Sequence, residues 1–285
     1  RILNNYHVNK IVFGSECNDI TTLTKIAKYQ FNKDFDVNVK KYLDSGCNYP
    51  TALAKACEID FTFNPNDLLG ISYIKAIIKN NFDIIPECIL RTNMYHDINS
   101  NDSIVSASNI RNKIKANEDI SNYLPSDVIN NLIRIDYSVF FKLLKAKIIT
   151  DDNLDKYLDL DEGIEYRLKK YINSTNDFLE YMELIKTKRY TYNKLNRMFI
   201  HILIGLKKSD NLEDIDYTRV IGFDKIGLQY LKKIKNTLEI SNIVKTDSVI
   251  YKYELQASLI YDLINKTNTF NFEIKNKPVI KEGSV

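Results

Sequence analysis

Two short stretches carry the residue types best suited to chemistry. In "NPNDLLGISYIKAI", residues 64 to 77, four poor helix-interior residues stand directly before a periodic apolar run: Asn64, Pro65, Asn66 and Asp67. Asn64 suits an N-cap, Pro65 a first-turn position and Asp67 the positive end of a helix dipole. Capping leaves Asn66 unaccounted for, and an amide near a helix start could hydrogen-bond a base or ribose. In "SIVSASNIRNKI", residues 103 to 114, Ser106 and Ser108 stand where a helical run begins and Arg111 comes one turn into it. Hydroxyls, free backbone N–H groups and an arginine at a helix start form an anion site suited to a triphosphate. A capped helix with an exposed arginine has the same pattern.

These residues need elements to hold them. "KIVFGSE" (Lys10 to Glu16) reads as a buried strand emptying into a loop at Gly14-Ser15-Glu16, and "CILRT" (Cys88 to Thr92) as a second. Residues 20 to 32, 50 to 58 and 67 to 80 carry helical spacing, the last with Leu68, Ile71, Ile74 and Ile78 on one face. Strand, helices, strand, helix is the rhythm of an α/β fold with a parallel sheet, whose ligands sit outside the carboxyl ends of the strands. Gly14 and Arg91 both fall at such ends. A glycine there lets backbone approach a ligand, and an arginine offers phosphate a planar fork. The alternatives are a tight turn for Gly14 and a surface ion pair for Arg91.

Beyond about residue 116 the pattern is mostly helical, with no convincing strand before the tail. The expected domains are therefore 1–115 and 116–285. Charge is segregated in the second: seven acidic residues and one basic lie between Asp151 and Glu165, and seven basic and no acidic between Lys186 and Lys208. At 100° per residue, Lys194, Arg197, His201 and Lys208 fall within about 60° of one another. Leu195, Met198, Phe199, Ile202, Leu203 and Leu206 occupy a separate arc. Such a cationic stripe suits a phosphate backbone, as does the charge of the basic block Lys186, Lys188, Arg189, Lys194 and Arg197, and Tyr190 and Tyr192 could stack on unpaired bases. A solvated amphipathic helix is the plainer alternative.

The totals set bounds. A 285-residue chain with 44% hydrophobic and 27% charged residues, eight Gly and five Pro is globular, with ample core. No apolar run approaches the roughly 18 residues a membrane span needs, and no leader is visible. Cys17, Cys47, Cys57 and Cys88 form no CxxC pair, which points to a reducing, cytoplasmic setting with neither disulfides nor a metal site.

"FGSE", "NPNDLLGISYIKAI", "ILR" followed by "YHD", "SASNIR", "TKRYTYNKLNRMFIHILIG" and "RVIGFDKIGLQYLKKIK" together, in that order, resemble the bacterial tRNA(Met) cytidine acetate ligase family. The resemblance implies a partial Rossmann-like nucleotidyltransferase domain followed by a mostly α-helical, tRNA-binding domain. It implies ATP, with Mg, as cofactor, and acetate and elongator tRNA(Met) as partners, with no membrane and no DNA. The implied reaction activates acetate as acetyl-adenylate, releases pyrophosphate and acetylates N4 of the wobble cytidine. Gly14, Asn66 and Arg91 match the family's ATP contacts, and Ser106, Ser108 and Arg111 its phosphate signature. Tyr95, His96 and Asp97 match as well, without a physical account.

One departure stands out. The family opens with a histidine-containing loop of His-x-Gly-His type, whose imidazoles stabilise charge on the transferring phosphoryl group. The only histidines here are His7, His96 and His201, and the chain starts at Arg1 rather than Met. The expectation is a piece of a longer enzyme, with no catalytic residue of its own, that neither forms acetyl-adenylate nor binds ATP tightly. Two other functions stay open: a non-catalytic RNA-binding module with a vestigial nucleotide fold, and a small-molecule nucleotidyltransferase.

Overall fold

The computed structural model describes residues 1–47, 49–57, 61–91, 104–210, 212, 215, 217–238, 248–275 and 277–281. Two compact units emerge, Leu3–Leu132 and Ile133–Val285 with Arg1–Ile2. The segment 116–132, assigned from sequence to the helical part, belongs with the first unit.

After a short helical turn, α1 (Ile2–Asn5), the first unit runs β1 (Lys10–Ser15), α2 (Ile20–Tyr29), α3 (Phe35–Asp44), α4 (Tyr49–Cys57), α5 (Pro65–Asn80), β2 (Ile85–Leu90), α6 (Ala107–Ala116) and α7 (Ser126–Asn130). β1 and β2 pair in parallel, from Lys10 opposite Ile85 to Ser15 opposite Leu90. The Arg91 N–H donates to Ser15 O at 3.0 Å and extends the ladder one residue past β2. β2 thus starts earlier than its apolar run suggests, because Pro86 is accommodated in a sheet that, among the described residues, has two strands and so open edges. α3 was not anticipated. Phe35 and Val39 are its buried residues, too few for a helical stripe to stand out among its charges.

α2 and α5 build the core against the strands. Asp19 caps α2 by accepting the Thr21 and Thr22 N–H groups at 3.0 and 3.1 Å. Leu23, Ile26, Leu53, Ile71 and Ile74 are buried with Phe13 of β1, and Leu68 and Ile78 pack against the same cluster. The anticipated apolar face of α5 is the one that faces the core. Gly70 is what lets it come so close: a Cβ built there would lie 2.2 Å from a ring carbon of Phe13.

The second unit runs α8 (Tyr137–Thr150), a 3-10 turn at Leu154–Lys156, α9 (Ile164–Tyr171), α10 (Phe178–Ile185), α11 (Tyr192–Ile204), β3 (Gly222–Asp224), α12 (Lys225–Ile234), α13 (Val249–Asn265), α14 (Thr269–Lys275) and β4 (Val279–Lys281). Its core is aromatic: Phe141, Tyr181 and Phe199 are nearly or fully buried, with Tyr181 stacked on Phe199 at 6.1 Å. The buried Tyr181 hydroxyl is satisfied by donating to Leu168 O at 3.1 Å. α11 starts at a Thr191 cap and ends at Gly205, whose φ of 74° suits the left-handed C-terminal position. Leu195, Met198, Phe199 and Ile202 form its buried face, as their spacing predicts. β3 and β4 pair in parallel. β3 was missed in the sequence, being only three residues long.

Candidate nucleotide site and cationic helix

The carboxyl end of β1 is tied to the start of α5 by two carboxyl groups. Asp67 is fully buried. Its Oδ1 accepts the Ser15 Oγ–H at 2.6 Å, the Glu16 N–H at 3.0 Å and the Cys17 N–H at 3.3 Å. Glu16 reciprocates: its Oε2 accepts the Asp67 N–H at 3.1 Å and its Oε1 the Asn66 Nδ2–H at 2.5 Å. Each side chain caps the other's backbone, as in a capping box, but across about fifty residues of chain.

This corrects the expectation for Asn64. Its backbone takes the N-cap conformation, at φ −79° and ψ 157°, but its side chain makes no cap bond. Its Nδ2 turns instead to Asp67 Oδ2 at 3.3 Å, and Glu16 takes over the cap. Asp67 likewise does more than complement a dipole; it sets the course of the backbone leaving β1. Neither role was visible in the sequence. The only hint was the carboxylate of "FGSE", directly after a strand.

Gly14, Asn66 and Arg91 converge on this rim. Gly14 lies inside β1 rather than in a turn, opposite Ile89 of β2. Its missing side chain makes room for Arg91, whose Cγ would be 3.2 Å from a Cβ at position 14. Arg91 Nε sits 4.0 Å from Glu16 Oε1, too far for a hydrogen bond, and this buried donor has no hydrogen-bond partner among the described residues. A buried N–H left open is costly unless a ligand supplies an acceptor.

Ser106, Ser108 and Arg111 gather at the start of α6. Ser106 Oγ accepts the Asn109 N–H at 3.1 Å, a standard N-cap, and Arg111 Nη2 donates to Ser108 Oγ at 3.2 Å. Tyr95, His96 and Asp97 lie outside the described residues.

The basic stretch differs from its wheel projection. Lys208 lies beyond the end of α11, since Gly205 stops the helix. Arg197 pairs with Asp159 at 2.8 Å, Arg189 with Glu162 at 2.5 Å and Lys208 with Asp161 at 2.9 Å. The acidic and basic blocks therefore answer one another across the fold, and the acidic loop takes left-handed backbone at Asp159 and Glu162 to do so. His201 Nδ1 also approaches Asp159, at 3.3 Å. Lys186 and Lys194 sit over the rings of Tyr192 and Tyr190, at 4.0 and 4.2 Å, while Lys188 is exposed. Tyr190 is buried and donates its hydroxyl to Asp161 O at 2.5 Å, so it cannot stack on a base. Tyr192 keeps an exposed ring and bonds Glu183 through its hydroxyl.

No described helix is long and apolar enough to cross a membrane. The family model for HIGH nucleotidyl transferases matches residues 1–276. A tRNA(Met) cytidine acetate ligase of Staphylococcus aureus is 33% identical over 291 positions, covering 96% of this chain and 75% of that protein. The chain belongs to this family. A second ligase of the same name, from Caldicellulosiruptor bescii, is 37% identical over 257 positions and 84% of the chain, which spans 64% of that relative's length. The family's α/β fold also appears in two structures of Thermotoga maritima TmcAL. The apo form gives a TM-score of 0.79 at 19% identity, covering 98% of this chain and 78% of that one. The form bound with alpha-thio ATP gives 0.80 at 21%, covering 99% and 79%.

Proposed function

We propose that this chain provides the nucleotide rim and the tRNA-binding helices of an ATP-dependent acetate ligase that acetylates N4 of the wobble cytidine in elongator tRNA(Met), in the cytoplasm. The observation that carries this reading is the gathering of Gly14, Asn66 and Arg91 around Glu16 where β1 and β2 end, in a chain whose relatives bear that ligase name. ATP supplies the leaving pyrophosphate that makes acetate reactive toward an amine. Arg91 binds a nucleotide oxygen through the part-exposed end of its guanidinium group. Gly14 keeps the strand thin enough for the guanidinium to lie across it. Asn66, oriented by Glu16, presents its amide oxygen to base or ribose. Ser106, Ser108 and Arg111 form the phosphate end, and Lys186, Lys188, Arg189, Lys194 and Arg197 approach tRNA. Magnesium would travel with the triphosphate; no three His, Cys, Asp or Glu side chains cluster as a metal site among the described residues, and no residue is assigned to it.

The chain contains no His-x-Gly-His, so by itself it supplies no catalytic residue for adenylate formation. The 285 residues alone are expected to give no ATP–pyrophosphate exchange. The same sequence within a chain that also carries a His-x-Gly-His strand, incubated with ATP, labelled acetate and bulk tRNA, places label on cytidine N4. Exchange by the 285 residues alone, or label on another nucleoside, contradicts the proposal.

A further inference from the structure

β3, α12 and β4 carry a cationic face that the assignments above leave unused. Asp224 closes β3 and caps α12 by accepting the Gly227 N–H at 2.7 Å. A Cβ at Gly222 would lie 3.1 Å from Val279 O, so β4 packs closely on β3. At 100° per residue, Lys225, Gln229, Lys232 and Lys233 share an arc of about 100° on α12, and all four are exposed. Ile226 and Tyr230 border that arc, 74% and 41% exposed. Lys277 and Lys281, beside and within β4, are exposed as well.

The five lysines have no ion-pair partner among the described residues. The described parts of 222–238 and 277–281 hold one acidic residue, Asp224, already committed as a cap. Arg189, Arg197 and Lys208 are in the opposite position, each held by a carboxylate of the 159–162 loop. A polyanion must displace a carboxylate to reach Arg189, Arg197 or Lys208 and draw Lys186 and Lys194 off tyrosine rings, whereas at α12, as at Lys188, it displaces only water and counterions, which is the favourable part of phosphate binding. An apolar residue left largely exposed beside a cation stripe suits a sugar or an unpaired base better than open water.

We infer that the lysine face of α12, with Ile226 and Tyr230 at its border, is the principal RNA-phosphate contact of the helical unit, ahead of the basic stretch at 186–197. The inference rests on the proposed tRNA partner. Its test is filter binding of bulk tRNA to the 285-residue chain across a salt series, with Lys225→Gln/Lys232→Gln/Lys233→Gln set beside Lys194→Gln/Arg197→Gln. Lys225, Lys232, Lys233 and Arg197 are exposed and Lys194 is half-buried, and circular dichroism verifies that the folds are retained. The α12 variant is expected to lose about tenfold or more in affinity and to flatten the log–log salt slope by about 2–3, roughly one per lysine; the α11 variant loses less. If the parent binds tRNA and the α12 variant matches it in affinity and slope, the inference is overturned while the tRNA reading stands. If the parent shows no salt-dependent binding, both fall.

Discussion

Asp67→Ala unfolds the region around β1 and α5 more readily than any other single truncation at the rim, by about 3–5 kcal/mol. Three donors, Ser15 Oγ, Glu16 N and Cys17 N, converge on the one oxygen Oδ1, and Asp67 is fully buried. Each buried donor left unmade costs about 1–3 kcal/mol, less what the loop recovers by opening to water. Asp67→Asn keeps an acceptor at the same place but gives up the charge that strengthens its three bonds and alters the contact with Asn64, so it costs about 1–2 kcal/mol. Amide hydrogen exchange across β1 and α5 reads both, because it resolves local stability in a chain with two compact units. Equal losses in the two variants would mean that Oδ1 is not the organising acceptor.

Gly70→Ala sets two effects against each other. Alanine in a helix interior gains about 1 kcal/mol over glycine from propensity alone. The new methyl, however, would sit 2.2 Å from the Phe13 ring, which is held edge-on against Tyr73 at 5.8 Å. Overpacking of this kind costs about 1–3 kcal/mol and sometimes more, and a ring with so little room to swing places it at the upper end. The net expectation is a loss of about 2 kcal/mol, measured by hydrogen exchange of the β1 and α5 amides. Phe13→Leu in the same chain should remove most of the penalty, giving a large coupling in the double-mutant cycle. A stabilised Gly70→Ala would show that propensity wins and that the close approach of α5 to β1 is absent.

The sequence and the structure part company at identifiable places. Periodicity located β1, α2, α4 and α5, because each places a few large apolar residues where strand or helix spacing brings them to one face. It missed α3, whose stripe is broken by charge, and delayed the start of β2, because Pro86 reads as a breaker until the sheet tolerates it. The approach of Gly14 and Arg91 was anticipated from strand ends, and Asn66 was singled out at a helix start and joined to them by the family resemblance. The carboxylate that organises them was not, since nothing in local spacing connects Glu16 to Asn66 fifty residues later. The acidic and basic blocks were each legible, but their mutual pairing is tertiary: Asp159 meets Arg197 and Glu162 meets Arg189 only after folding. Tyr190 shows the same limit, because residue type alone could not distinguish a stacking surface from a buried ring with a satisfied hydroxyl.

The most direct test of the account is amide chemical-shift mapping of the 285-residue chain titrated with ATP, which detects even weak binding and reports its location. The expected result is shifts concentrated at Gly14, Glu16, Asn66 and Arg91, with a titration midpoint moved to roughly tenfold or more higher ATP in Arg91→Ala, where a charged hydrogen bond of about 1.5–3 kcal/mol is lost. Shifts confined to other surfaces, or an unchanged midpoint in Arg91→Ala, would contradict the account.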